Sequence, residues 1–397
     1  MKKPSYNQTL YACFIGYVVQ AIVVNFTPLL FLRFQTTYQL SLDQIAFLTT
    51  ANFGIQLFVD LLATKFVDRI GYRVSVIIAH VSAAVGLVGL AVFPACFADP
   101  YAGLMLAVVF FAIGGGIIEV LISPMVEACP GDRKEAAMSL LHSFYCWGHV
   151  GVVLISSLFF AVAGIENWPW LAGFWALVPL FNIFLFARVP IAPLVAEGDK
   201  RYGIGQLLRM RIFWVLILLM VAAGASEQAV SQWASVYAES VLRIPKVVGD
   251  LAGPLLFAAM MGASRLYYGK RSEGLRLERA MLAAGGLCLL SYLLISLTSI
   301  PALGFVGFAL CGLAVGILWP GTLSLAAKHI RGGGTALFAF LALAGDLGCA
   351  GGPTFVGIVS KWFDYDLSKG ILAAIIFPLL LLAGLFWQKK STGLEKH

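Results

Sequence analysis

Twelve apolar runs of membrane-spanning length follow one another along the 397 residues, and few folds can accommodate such a chain. A hydrocarbon layer about 30 Å thick is crossed by roughly 20 predominantly apolar residues in a helix. The runs fall at 10–34, 42–66, 74–97, 101–129, 136–163 and 168–187, then at 212–237, 247–268, 280–297, 303–328, 335–359 and 372–387, each ended by a basic residue, a glycine or a proline. With no water inside lipid, every backbone N–H and C=O must be satisfied within its own segment or a closed barrel, so runs of this length are helices. Composition excludes a water-soluble alternative: 60% of residues are hydrophobic and 12% charged, about half the charge a soluble surface carries. The sequence therefore predicts an all-α integral membrane protein of twelve spans. The polar stretch 188–211 separates a first six-helix bundle, 1–187, from a second, 212–397. The opening MKKPSYNQTL is followed by an apolar run too long for a signal peptide and without an A-x-A site, which reads as a retained first span.

An even number of spans puts both termini on one side of the bilayer. Assigned to loops, 22 of the 27 Lys and Arg residues fall on the side of the N-terminus, and cytoplasmic loops are the ones enriched in Lys and Arg. The expectation is a multi-pass protein of the cell membrane with both termini cytoplasmic. Distributed in this way, the net charge of +7 is no nucleic-acid footprint. The seven cysteines form no CxxC pair and sit mostly in apolar runs, which reads as free thiols. No G-x-x-x-x-G-K-[ST] phosphate loop is present, and no HExxH or G-x-S-x-G arrangement. These absences point away from an enzyme, from ATP-driven transport and from any cofactor, leaving a gradient as the source of energy.

Shifting the chain by 197 residues lays Phe111 on Phe308, Gly115 on Gly312 and Gly148-His149-Val150-Gly151 on Gly345-Asp346-Leu347-Gly348. Duplication of a six-helix unit explains the shift, and such repeats place a substrate site near the midplane between them.

Polar residues inside spans are expensive, about 2.5–3.5 kcal/mol for a charge at the bilayer centre, and mark function or pairing. Four carboxylates stand out: Asp60, Glu119, Glu227 and Asp346. Glu119 follows Gly114-Gly115-Gly116, which permits close approach of another backbone. Glu227 heads a polar stripe with Gln228, Ser231, Gln232 and Trp233. Asp346 lies among glycines of span eleven. Glu119, Glu227 and Asp346 are the candidate proton-coupling acids. Amides and rings supply a candidate lining for a hydroxyl-rich solute: Gln20 and Asn25 on span one, Asn52 and Gln56 at i and i+4 on span two, His142 and His149 on span five, and Trp319 on span ten. His142, Cys146 and His149 share a face that could in principle ligate a metal, but hydrogen-bonding histidines need no further assumption, so no metal is expected.

After span two the chain reads Thr64-Lys65-Phe66-Val67-Asp68-Arg69-Ile70-Gly71-Tyr72-Arg73. This resembles the major facilitator superfamily loop motif G-x-x-x-D-R-x-G-x-R, with Thr64 in place of the leading glycine. The matching stretch of the second half, Arg265 to Arg271, is a degenerate copy without the Asp-Arg core. The resemblance implies that Asp68, Arg69, Gly71 and Arg73 form a cytoplasmic gate. Three further stretches are similar to the fucose–galactose–glucose/mannose:proton symporter branch: Gly115 to Glu119 with Ser123-Pro124, where the branch often has Asn-Pro; Leu141 to Gly148; and Gly312 to Trp319-Pro320. In that branch an acid on span four takes part in proton coupling, and Glu119 is the residue that matches it.

The leading expectation is a proton-coupled secondary transporter moving a small polar solute, a sugar or related metabolite, by alternating access. Proton-antiport efflux of amphipathic drugs or other metabolites is the alternative, to which Phe110, Phe111 and Trp147 would suit a cavity. The implied partners are the solute, protons and the lipid bilayer, with the chain acting as a monomer.

Overall fold

The computed structural model describes residues 5–193, 202–244, 246–271 and 276–394. Among the described residues the regular structure is helical throughout. Twelve long helical segments follow in order. The first, α1, is Tyr6–Asn25, extended by a tight turn at Thr27–Leu30 and a short helix Phe31–Tyr38. The next five are α2 (Leu42–Ile70), α3 (Tyr72–Cys96), α4 (Pro100–Ala128), α5 (Lys134–Ala163) and α6 (Trp168–Arg188). In the second half α7 is Arg211–Ser231 with a short continuation Ala234–Ser240, followed by α8 (Lys246–Arg271) and α9 (Leu277–Leu297). Then come α10 (Pro301–Val315 and Leu318–His329), α11 (Gly334–Trp362) and α12 (Leu367–Ala373 and Ile376–Leu394). Among the described residues ten of these segments are long and apolar enough to cross a membrane; α2 and α8 are of spanning length as well, and within α2 the described apolar stretch is Thr50–Ala63. The fold is thus the all-α, twelve-span architecture that the apolar runs predict.

Local sequence explains the boundaries. Ser41 caps α2 by accepting from the Gln44 backbone N–H while the Gln44 side chain returns to the Ser41 N–H, the reciprocal pair that satisfies two orphan donors. Asp99 accepts from the Tyr101 N–H and Pro100 occupies the first turn of α4, where a missing N–H costs nothing. Gly71 has φ +90°, a left-handed region open to glycine, and it turns the chain directly from α2 into α3. Pro28 and Pro320 coincide with breaks in α1 and α10, as a missing donor requires.

The chain divides into two compact units. The first comprises Met1–Gly131 and Phe144–Ala196; the second comprises Asp132–Ser143 and Glu197–His397. Helix α5 is therefore shared, its first ten residues belonging with the second unit. In the first unit α3 and α4 meet through glycine: a Cβ on Gly114 would lie 2.6 Å from the Ala79 carbonyl oxygen, and one on Gly86 would lie 2.5 Å from the Phe111 nitrogen. Small residues let backbones close in where lipid offers no hydrophobic drive for helix association. A buried polar seam joins α1, α3 and α6, where Asn182 donates to the Ala12 carbonyl (3.0 Å) and pairs with His80 Nε2 (2.9 Å). His80 Nδ1 contacts the Val76 carbonyl at 2.7 Å. Large apolar side chains such as Phe58, Trp170, Phe181, Phe184, Leu290 and Trp387 are exposed, a distribution that only a lipid solvent accommodates.

One sequence expectation changes here. The stretch Arg265 to Arg271 reads as a loop, but it forms the last two turns of α8. Arg265 is 3% exposed and is no loop charge.

Candidate functional site

In the first unit, four polar residues predicted to line a site come together. Gln20 on α1 donates from Nε2 to Glu119 Oε2 of α4 (3.2 Å) and to Gln56 Oε1 of α2 (3.3 Å). Gln56 in turn donates to Asn52 Oδ1 at 3.0 Å. Gln20 thus donates both ways, to the carboxylate of Glu119 and to Gln56, which passes the donation on to Asn52. The glycines before Glu119 explain why it fits. A Cβ on Gly115 would sit 3.0 Å from Gln20 Oε1, and one on Gly116 would sit 3.1 Å from the Val59 side chain. Gln20, Gln56 and Asn52 are buried, whereas Glu119 is partly exposed. Gln20 Oε1 is buried and accepts no hydrogen bond, an uncommon state for an amide oxygen. Asp60, fully buried one turn beyond Gln56, continues the polar face of α2. Tyr17 and Ser123 share a hydrogen bond of 2.8 Å between α1 and α4 nearby.

The second unit holds the other two acids in different settings. Glu227 on α7 pairs with Arg265 of α8 at 3.4 Å, both side chains largely buried. Gln228 donates to Glu227 Oε1 (3.4 Å) and accepts from Ser231 (3.2 Å), so the predicted stripe on α7 is bonded along its own length. Gln232 is exposed, and Trp233 donates from its indole nitrogen to the Pro353 carbonyl at 3.0 Å. Asp346 is partly exposed on α11. Next to it, the ring of Trp319 lies flush against Gly345, where any Cβ would collide with it.

The remaining sequence candidates sit elsewhere. Asn25 donates back to the Ala21 carbonyl of its own helix (2.8 Å). His149 is half-buried on α5, and the backbone carbonyl of His142 accepts from Arg265 Nη1 (3.1 Å). Among the described residues no group of three or more His, Cys, Asp or Glu side chains could hold a metal ion. In the loop motif, Arg73 donates to the carbonyls of Phe186 and Val189 (2.8 Å for the latter), anchoring the end of α6. Cations complement exposed carbonyls at a helix C-terminus. Arg69 is exposed, and the side chain of Asp68 lies outside the described residues.

Sequence reasoning missed Arg265 as a site residue, although two signals for it exist. An α8 that continues to Arg271 carries Arg265 about 9 Å inside its end at 1.5 Å per residue. Pro320 lacks the N–H that would satisfy the carbonyl four residues earlier, and Arg265 Nε donates to that Gly316 carbonyl at 2.9 Å.

Residues 12–353 match the family model of the Major Facilitator Superfamily. The chain belongs to that family, whose members are carriers rather than enzymes. It is similar in structure to the fucose:proton symporter FucP of E. coli, with a TM-score of 0.82 at 13% identity, covering 97% of this chain and 99% of that one. The proton:xylose symporter XylE bound to 6-bromo-6-deoxy-D-glucose gives 0.80 at 12% identity, covering 96% and 95%. The human organic anion transporter MFSD10 gives 0.74 at 16% identity, covering 96% and 100%. No curated protein matches the sequence. At these identities the likeness establishes the fold, and the chain is a multi-pass membrane transporter of that fold.

Proposed function

We propose that this carrier moves a small polar solute, a sugar or related metabolite, together with protons, by alternating access. One observation carries the reading: a carboxylate inside the span region, Glu119, is held by the amide chain Gln20–Gln56–Asn52. Carboxylates within membrane spans are retained where they relay ions or contact substrate. Ionised, Glu119 accepts from Gln20; protonated, it becomes a donor. Gln20 can answer by turning its amide, because its Oε1 has no donor to lose. That rotation changes what Gln56 and Asn52 present to a hydroxyl-bearing ligand, linking proton and solute at one site. FucP and XylE, similar in fold, are described as proton symporters of sugars. On this reading Glu227 acts through its pair with Arg265. The termini and the α2–α3 turn at Gly71, with Asp68, Arg69 and Arg73 on either side of it, lie on the cytoplasmic side of the cell membrane, and a monomer suffices.

A thermal-shift screen of the purified protein against sugars, organic acids and lipophilic cations tests the solute class. A ligand that binds only the native state stabilises it by RT ln(1 + [L]/Kd), about 2.7 kcal/mol at 100 times Kd. Neutral polyhydroxylated solutes are expected to raise the apparent Tm, and Gln20→Ala is expected to remove the shift. Stabilisation by lipophilic cations alone would instead select drug efflux.

A further inference from the structure

A seam of polar contacts fastens the first turns of α5 to the end of α8, inside the second unit. Arg133 donates to the Lys270 carbonyl (3.3 Å), and Tyr268 donates to Glu135 Oε2 (3.2 Å). Gly269 brings the two backbones close, since a Cβ there would lie 3.2 Å from the Ala136 carbonyl oxygen. Ser139 donates to the Arg265 carbonyl at 2.7 Å.

The seam ends on Arg265, whose side chain reaches α5 again and two further helices. Nη1 donates to the His142 carbonyl of α5 (3.1 Å), Nε to the Gly316 carbonyl of α10 (2.9 Å), and Nη2 to Glu227 Oε2 of α7 (3.4 Å). A guanidinium is suited to this because it presents five donors in a rigid fork and stays charged. Each acceptor has a reason to need it. Gly316 has lost its helical donor to Pro320, and a largely buried carboxylate is costly without a partner. His142 stands two residues before the point where α5 passes from the second unit to the first.

We propose that Arg265 is a positioning residue that pins the start of α5 to α7, α8 and α10, so that any conformational change in which α5 leaves the second unit must first break this node. The inference rests on the chain being a carrier, and not on which solute or ion it moves.

Site-resolved labelling of the purified full-length protein with N-ethylmaleimide, read by mass spectrometry, tests it without any substrate. Cys146 is 1% exposed, one turn beyond His142 on α5, and Cys13 is 0% exposed in α1. In Arg265→Gln, labelling of Cys146 is expected to rise about tenfold, the scale set by losing one charge-assisted hydrogen bond, while Cys13 stays protected. Arg265→Lys keeps the charge without the fork and is expected to fall between wild type and Arg265→Gln. Wild-type labelling of Cys146 in both variants would overturn the proposal. So would a parallel rise at Cys13 and Cys146, which would mark a general loss of structure instead of a released α5.

Discussion

Replacing Gly348 with leucine is expected to prevent accumulation of folded protein, the largest single effect the fold predicts. On α11, Gly345, Gly348 and Gly352 lie against α7. A Cβ on Gly348 would collide with the Val221 carbonyl, and one on Gly352 would lie 2.6 Å from the Ala225 carbonyl oxygen. Backbone cannot yield as a flexible side-chain tip can, so leucine must push α7 and α11 apart along their contact. Overpacking a close-packed interior costs about 1–3 kcal/mol for added methylenes, and more where backbone must move. Against a total stability of about 5–15 kcal/mol, a loss of 4 kcal/mol or more is severe. Gly351, on the same helix, is exposed with nothing within 4 Å of a Cβ. Size-exclusion profiles of the two variants make the comparison: Gly351→Leu is expected to give the monodisperse peak of the wild type, and Gly348→Leu little or none. Equal peaks would show that the α7–α11 contact does not hold the second unit together.

The second large effect concerns Glu119. Glu119→Gln removes the titrating group but leaves an amide able to bond with Gln20. Solute binding and solute-for-solute exchange in proteoliposomes are therefore expected to persist, with accumulation driven by a pH gradient reduced at least 100-fold, as befits loss of an obligatory step worth about 2.7 kcal/mol or more. Glu227→Gln is expected to behave differently. Its carboxylate is tied to Arg265, so its loss disturbs the helix node, and exchange and accumulation fall together. The contrast between the two acids separates a group that carries a proton from one that holds a helix.

The fold was legible in the sequence because lipid imposes a severe rule: apolar runs long enough to cross must be helices, and twelve such runs leave little choice of architecture. The turn at Gly71, the cap at Ser41 and Pro100 in the first turn of α4 follow equally local rules. The site was legible only as an inventory. Glu119 stood out as a charge among apolar neighbours, yet Gln20 is 99 residues away in the chain and nothing local says that its amide reaches the carboxylate. Trp319 was read as part of the candidate lining, and only the packing shows that its ring needs the bare backbone of Gly345. Arg265 was misplaced because an arginine followed by Tyr267, Tyr268 and Lys270 has the look of a basic loop, and whether it lies inside or outside a span depends on where the helix ends. Residue type announces that a group is costly to bury; its partner is set by tertiary packing, which one sequence does not display.

The central claim is that solute and proton move together through the site at Glu119. Purified protein in proteoliposomes, with a pH-sensitive dye trapped inside and no imposed gradient, tests it directly. When a solute identified by thermal shift is added outside, the wild type is expected to acidify the lumen as protons enter with it, and Glu119→Gln is expected to leave the lumen pH unchanged while still exchanging solute. Solute entry by the wild type without any change in lumen pH would contradict the account.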